Sequence, residues 1–216
     1  MDCVVEAVGA PVDSCEPAPK FICLTPGWEF LESRQRNDFS QFGEDGLLEA
    51  VLERIGTTNQ WCFEVGASDG VFYSNTKRLR DLGWYAVLIE GDPLSAGKCR
   101  QFESRRVQVH QEKVNPKSLD NILAGGGCPI RMDLGVIDVD GQDYWIWDGL
   151  KVFRPRVMLM EFMYLNDNFT DAAFVPELNG AGQAGMEAIV ELGNRKGYVP
   201  LVATYCNLLF VDKSCL

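Results

Sequence analysis

Carboxylates gather at the ends of two apolar runs. Asp138, Asp140 and Asp143 stand in an Asp-x-Asp-Gly-x-Asp pattern closing the run at residues 134–138, and Glu161 lies near the end of the run at 157–162. If these runs are adjacent strands, Asp138, Asp140 and Glu161 could take a proton from a hydroxyl as general bases. The same three could hold a hard divalent cation, which favours closely set oxygen ligands. A plainer account is also open. Asp138 would then point at a bound ligand, Asp140 would cap the next helix, and Asp143 would be a first-turn acid favoured by the helix dipole. The sole histidine, His110, is the weakest base candidate, because it ends a different run and fits a satisfied histidine as well.

A second constellation binds rather than reacts. Trp61-Cys62-Phe63-Glu64-Val65 reads as a strand entering the turn Gly66-Ala67-Ser68-Asp69-Gly70, where glycine lets backbone approach a ligand. The spacing is Glu-x-Gly-x-x-x-Gly, so the Gly-x-Gly-x-x-Gly pattern that cradles a dinucleotide pyrophosphate is absent, which disfavours a nicotinamide oxidoreductase. The next strand ends in Glu90, placed to accept both hydroxyls of a ribose, with helix capping as the structural alternative. Asp69, Ser74 and Asn75 surround the start of the following helix and could meet charged ends of a ligand or simply cap it. Gln111, Glu112 and Lys113 follow the third strand, at the edge where an adenine would lie.

Parallel strands covered on both faces read as continuous apolar runs. Residues 61–65, 86–90, 107–110, 134–138 and 157–162 have that character, with helical stretches 74–82, 94–103, 116–123 and 142–153 between them. Asn115 and Pro116 read as an N-cap and a first-turn proline, and Ile146, Trp147, Leu150 and Phe153 as a buried stripe, with Tyr144 and Trp145 left to wall a pocket. A helix from Asp45 to Ile55 precedes the first strand. After the helical stretch 185–196, runs 198–204 and 208–212 suit a hairpin. The expectation is an α/β, Rossmann-like doubly wound, mostly parallel seven-stranded sheet ending in an antiparallel hairpin. Residues 1–36, with four prolines and no apolar period, read as an irregular N-terminal extension to a domain at 37–216.

With these features in place, the chain resembles the FkbM-type class I methyltransferases. The likeness rests on Ser40-Gln41-Phe42-Gly43-Glu44-Asp45-Gly46, on Phe63 through Gly70, on Ser74-Asn75-Thr76 and on Ile137-Asp138-Val139-Asp140-Gly141-Gln142-Asp143-Tyr144-Trp145. It implies S-adenosylmethionine as cofactor and methyl transfer to a hydroxyl of a small molecule, a sugar, lipid or secondary metabolite. It assigns cofactor binding to Gln41, Glu64, Gly66, Ala67, Asp69, Gly70, Asn75, Glu90, Gly91, Lys113 and Asp138. By analogy with catechol-type enzymes, Asp138 or Asp140 with Glu161 would hold Mg2+ and lower the acceptor's pKa. One departure is Met163, where the family leads one to expect an asparagine after the fifth strand; a catalytically inactive binding or regulatory module is the alternative it motivates.

Composition narrows the partners. A net charge of -11 over 216 residues repels a phosphate backbone, so nucleic acid is disfavoured. No apolar run reaches the roughly 18–20 residues of a membrane span, and residues 1–23 lack a basic start followed by an apolar stretch. The eight cysteines form no Cys-x-x-Cys pair, which argues against structural zinc and for reduced thiols in a cytoplasmic protein.

Overall fold

The computed structural model describes residues 21–163 and 172–216. Outside them lie the polar stretch 164–171, whose sequence suits either a loop over an acceptor or a solvated connection, and Cys3 and Cys15, which with Cys23 would pair only under oxidising conditions. Among the described residues the six cysteines are free thiols, and no helix is long and apolar enough to cross a membrane.

Five parallel strands make the centre of the sheet: β2 (Trp61–Val65), β3 (Tyr85–Glu90), β4 (Val107–Gln111), β5 (Leu134–Ile137) and β6 (Val157–Glu161). Alternate side chains enter two separate cores. Phe63, Val65, Val87, Ile89, Ile137, Met158 and Met160 face one layer, and Cys62, Ala86, Leu88, Leu134, Val136, Val157 and Leu159 the other. This double burial is why these strands read as unbroken apolar runs.

The hairpin follows as expected, with β7 (Tyr198–Ala203) and β8 (Asn207–Asp212) antiparallel and β8 inserted beside β6. With β1 (Ile22–Cys23), the full order is β1-β7-β8-β6-β5-β2-β3-β4, which corrects the expected strand count from seven to eight. The added strand, β1, comes from the segment read as irregular and pairs with the outer edge of β7. Two residues carry no period to read. Leu24 N–H donates to Leu201 O at 2.9 Å and Thr25 Oγ1 to Pro200 O at 2.6 Å, while Trp28 and Leu31 bury beyond it, so the stretch covers an otherwise open sheet edge.

Helices α1 (Glu44–Ile55), α2 (Lys77–Asp81), α3 (Pro93–Cys99), α4 (Leu119–Gly125), α5 (Asp143–Gly149) and α6 (Met186–Arg195) cover the two faces. Several helix boundaries differ from the sequence reading, two of them for a visible local cause. Helix α4 starts at Leu119 rather than Pro116, because Asn115 Oδ1 accepts from Lys117 N–H and closes a separate turn. Helix α5 ends at Gly149, because Asp120 draws the amides of Lys151, Val152 and Phe153 out of the helical path, at 2.9, 3.1 and 3.2 Å. Phe153 remains buried, but from a loop.

Strand β2 has β3 on one side and β5 on the other, so the chain winds away from it in both directions. In such sheets ligands bind outside the carboxyl ends of the strands at this switch point.

Candidate functional site

The turn after β2 is wedged between its neighbours. Gly66 adopts φ +84, and a Cβ placed there would lie 1.6 Å from Asp138 O at the end of β5, so only glycine fits. Its N–H donates to Ile89 O at 2.9 Å, which ties the turn to β3. Ser68 N–H then donates to Glu90 Oε2 and Asp92 N–H to Glu90 Oε1, both at 2.7 Å. Glu90 is thereby locked in place with a lone pair free on each oxygen. Asp69 Oδ1 accepts from Phe72 and Val71 N–H, and these bonds hold its carboxyl below the usual range. Gly70, at φ +81, faces Phe102 and Cys99 of the α3 region rather than a ligand.

Glu64 lies on the opposite face of β2 from Phe63 and Val65, fully inside the protein. Its carboxylate accepts from Ser74 Oγ (2.8 Å), Asn75 N–H (2.7 Å) and Thr76 Oγ1 (2.6 Å). Burial pushes its pKa up, against the opposing pull of Arg80 and those donors. Arg80 in turn donates to Gly70 O, Ser74 Oγ and Thr76 Oγ1. This buried network supports the turn from beneath and explains why α2 begins only at Lys77. Asn75 is buried beside it, its Oδ1 lacking a donor among the described residues.

The 40–46 block is a second scaffold. Asp45 Oδ2 accepts from the amides of Asp38, Phe39 and Ser40, at 2.9, 2.7 and 2.8 Å, and curls the chain before α1. Glu44, 0% exposed, accepts from Phe42 N–H (2.7 Å), Thr204 Oγ1 (2.7 Å) and Asn207 Nδ2 (3.1 Å). It binds the block to the β7–β8 turn, where the rings of Phe42 and Tyr205 meet at 5.0 Å.

At the ends of β5 and β6, Asp138 and Glu161 hydrogen-bond to one another, and burial, followed by neighbouring carboxylates, drives both pKa values up. Exposed Asp140 sits at φ +55 and sends its N–H to Glu161 Oε2 at 3.1 Å. Asp143 is turned inward, accepting from Val139 N–H at 2.8 Å and Gly141 N–H at 2.9 Å, with burial raising its pKa to about 6. Both its oxygens are spent on the loop. Among the described residues no group of three or more His, Cys, Asp or Glu is arranged to hold a metal ion, so the expected Mg2+ site of Asp138, Asp140 and Glu161 is not supported.

These pieces border one cleft of about 890 Å³. Of the residues singled out from sequence, Gln41, Gly66, Glu90, Gly91, Lys113, Asp138, Asp140 and Glu161 line it, as does Glu112. Glu64, Ala67, Asp69, Gly70 and Asn75 do not line it; they shape and brace the turn beneath. His110, Tyr144, Trp145 and Met163 also lie outside the lining. Tyr144 OH accepts from Arg195 and Trp145 Nε1 donates to Pro176 O, so both rings serve α5 packing, and Gln142 and Ile146 take the cleft face instead. Sequence reasoning missed Phe42, Phe72, Tyr73, Gln183 and Cys206. The available signal was two adjacent aromatic residues inside a polar turn: Phe72 is 62% exposed and Tyr73 47%.

Solved structures share this architecture. An O-methyltransferase from Streptomyces achromogenes involved in tomaymycin synthesis, in complex with S-adenosylmethionine, matches with TM-score 0.52 and 18% identity over 85% of this chain and 90% of that one. The fold is the Rossmann-like methyltransferase fold. A second methyltransferase fold, the S-adenosylmethionine-bound amino pentose enzyme of calicheamicin biosynthesis from Micromonospora echinaspora, matches with TM-score 0.51 and 9% identity over 79% of this chain and 92% of that one. Two longer neighbours are spanned over 54% and 62% of their own length. No family model and no curated protein matches the sequence.

Proposed function

We propose that this chain is an S-adenosylmethionine-dependent methyltransferase acting on a hydroxyl of a small molecule. The observation that carries the reading is the convergence of Glu90 and the Asp138–Glu161 pair on one cleft at the switch point of the sheet. Bound there, S-adenosylmethionine supplies an electrophilic sulfonium methyl group. Glu90 would accept the ribose hydroxyls, Gly66 and Gly91 would give backbone access, and Glu112 and Lys113 would border the base.

In-line transfer needs alignment above all, and a cleft held by Glu44, Glu64 and Asp45 through backbone amides and buried hydroxyls supports it. The acceptor hydroxyl must also lose a proton. The Asp138–Glu161 pair, sharing one proton, keeps one ionised carboxylate that takes it. The 40–46 and 137–145 blocks, which carry the resemblance to FkbM-type enzymes, both border the cleft, and this supports the FkbM-type reading.

Calorimetry with S-adenosylhomocysteine tests the fold's use. Binding that weakens in Glu90→Ala is expected, and absence of binding in both proteins overturns the reading. Labelled methyl transfer to hydroxylated acceptors then tests activity.

A further inference from the structure

The cleft is strongly one-signed. Glu90, Asp92, Glu112, Asp140 and the proton-sharing Asp138–Glu161 pair line it, against Lys113 as the single basic side chain among the described lining residues. Lys113 packs beside Gly91, next to the strand carrying Glu90 and away from the ends of β5 and β6. Arg80, buried below the turn, is consumed by Gly70 O, Ser74 and Thr76. A low-dielectric cleft lined by one sign focuses its field and concentrates the opposite charge.

Three aromatic side chains add a second preference. Phe42, Phe72 and Tyr73 line the same cleft, and the last two pack tilted against each other with centroids 3.8 Å apart while remaining largely exposed. Solvent-exposed rings on a pocket wall offer faces that attract organic cations. The lining amides add little charge selectivity, since Gln142 is spent on Gly180 O and Asn179 N–H.

We infer that the acceptor is a cation, carrying a protonated amine beside the hydroxyl to be methylated, held by Asp138, Asp140 and Glu161 against the Phe42, Phe72 and Tyr73 rings. The same field disfavours phosphorylated and carboxylated acceptors. The inference rests on the methyltransferase reading, and its test separates the two. Calorimetry first measures S-adenosylhomocysteine binding, then titrates the loaded protein with three hydroxylated probes of matched size: tyramine, 4-ethylphenol and 4-hydroxyphenylpropionate. Tyramine should bind about tenfold or more tightly than the carboxylate probe, with the neutral phenol between, and the ratio should shrink in high salt. Asp140→Asn, which keeps the φ +55 backbone that asparagine tolerates, should shrink it too. Equal or reversed affinities overturn the inference, and so does failure of tyramine to bind a protein that takes up S-adenosylhomocysteine. Loss of S-adenosylhomocysteine binding itself strikes the methyltransferase reading instead.

Discussion

Asp138 and Glu161 meet carboxyl to carboxyl at the carboxyl ends of two adjacent parallel strands, and burial raises the pKa of each. Two carboxyls in contact do not both ionise readily, so they titrate as a pair with shared macroscopic steps. The first step is set near about 7 by burial of Asp138 and by the Asp143 carboxylate beside it. Methyl transfer should therefore rise as pH increases through about 7, where the pair gains its proton-accepting form. Asp138→Asn should lower kcat by about 100-fold or more and leave the S-adenosylhomocysteine Kd nearly unchanged. A pH–rate profile of both proteins decides this; an unchanged acid limb in Asp138→Asn removes the pair from the chemistry.

The same pair opposes folding at alkaline pH. A carboxyl whose folded pKa is raised above its unfolded value binds more protons when folded, so its stabilising contribution is complete below the unfolded pKa and disappears as pH rises through the folded one. Melting temperature should fall between pH 5.5 and 8.5, and fall less in Asp138→Asn. At pH 8.5 the variant should be the more stable protein, since relief of even about 1 kcal/mol raises Tm by about 2–4 °C in a domain of this size. Melting curves at the two pH values check it, and a variant less stable at both would contradict the assignment.

Glu44 links two parts of the cleft wall that are far apart in sequence. Removing its carboxylate leaves Phe42 N–H without its acceptor, and Thr204 Oγ1 and Asn207 Nδ2 with only the long contacts to Asn207 O (3.4 Å) and Cys206 Sγ (3.6 Å). Glu44→Ala should destabilise by about 2–4 kcal/mol, seen in denaturant midpoints, and should weaken cofactor-product binding through displacement of Gln41 and Phe42. Glu44→Gln keeps one acceptor and should recover part of both. Equal losses in the two variants would show that the charge, not the bridging geometry, matters.

Much of this was legible beforehand, for physical reasons. Burial on both faces writes parallel strands as apolar runs, and β2 appears at its expected bounds, Trp61–Val65. Strand ends then put Glu90, Asp138 and Glu161 at one edge without any knowledge of contacts. Glu64, expected to meet the cofactor, lies instead in a buried network outside the cleft lining, and period-two alternation from Phe63 and Val65 already sends it to the other face. Its partners, Ser74, Thr76 and Arg80, are fixed by tertiary packing that no local pattern reveals. Asp143 does open α5 as a first-turn acid, but that two nearby amides claim both its oxygens is not visible from its spacing. Phe72 and Tyr73 belong to a turn with no period, so neither strand nor helix logic could direct them to the cleft.

The two glycines of the turn, alike in sequence, differ in what surrounds them. Gly66 has the backbone carbonyl of Asp138 1.6 Å from a built Cβ, and that carbonyl belongs to a strand end that cannot move alone. Gly70 meets side-chain atoms, Phe102 at 2.9 Å and Cys99 Sγ at 3.0 Å, which can yield by rotamer change. Both hold positive φ, so alanine carries backbone strain of about 1–3 kcal/mol at each, but only at position 66 does a fixed collision add to it. Gly66→Ala should lose about 3 kcal/mol or more and displace Asp138 along with the turn, abolishing S-adenosylhomocysteine binding even where folding survives in the cold. Gly70→Ala should melt lower yet bind the same ligand within a few-fold. Calorimetry on both variants, with circular dichroism to confirm folding, separates them; tight binding by Gly66→Ala would mean that the turn is not where the cofactor sits.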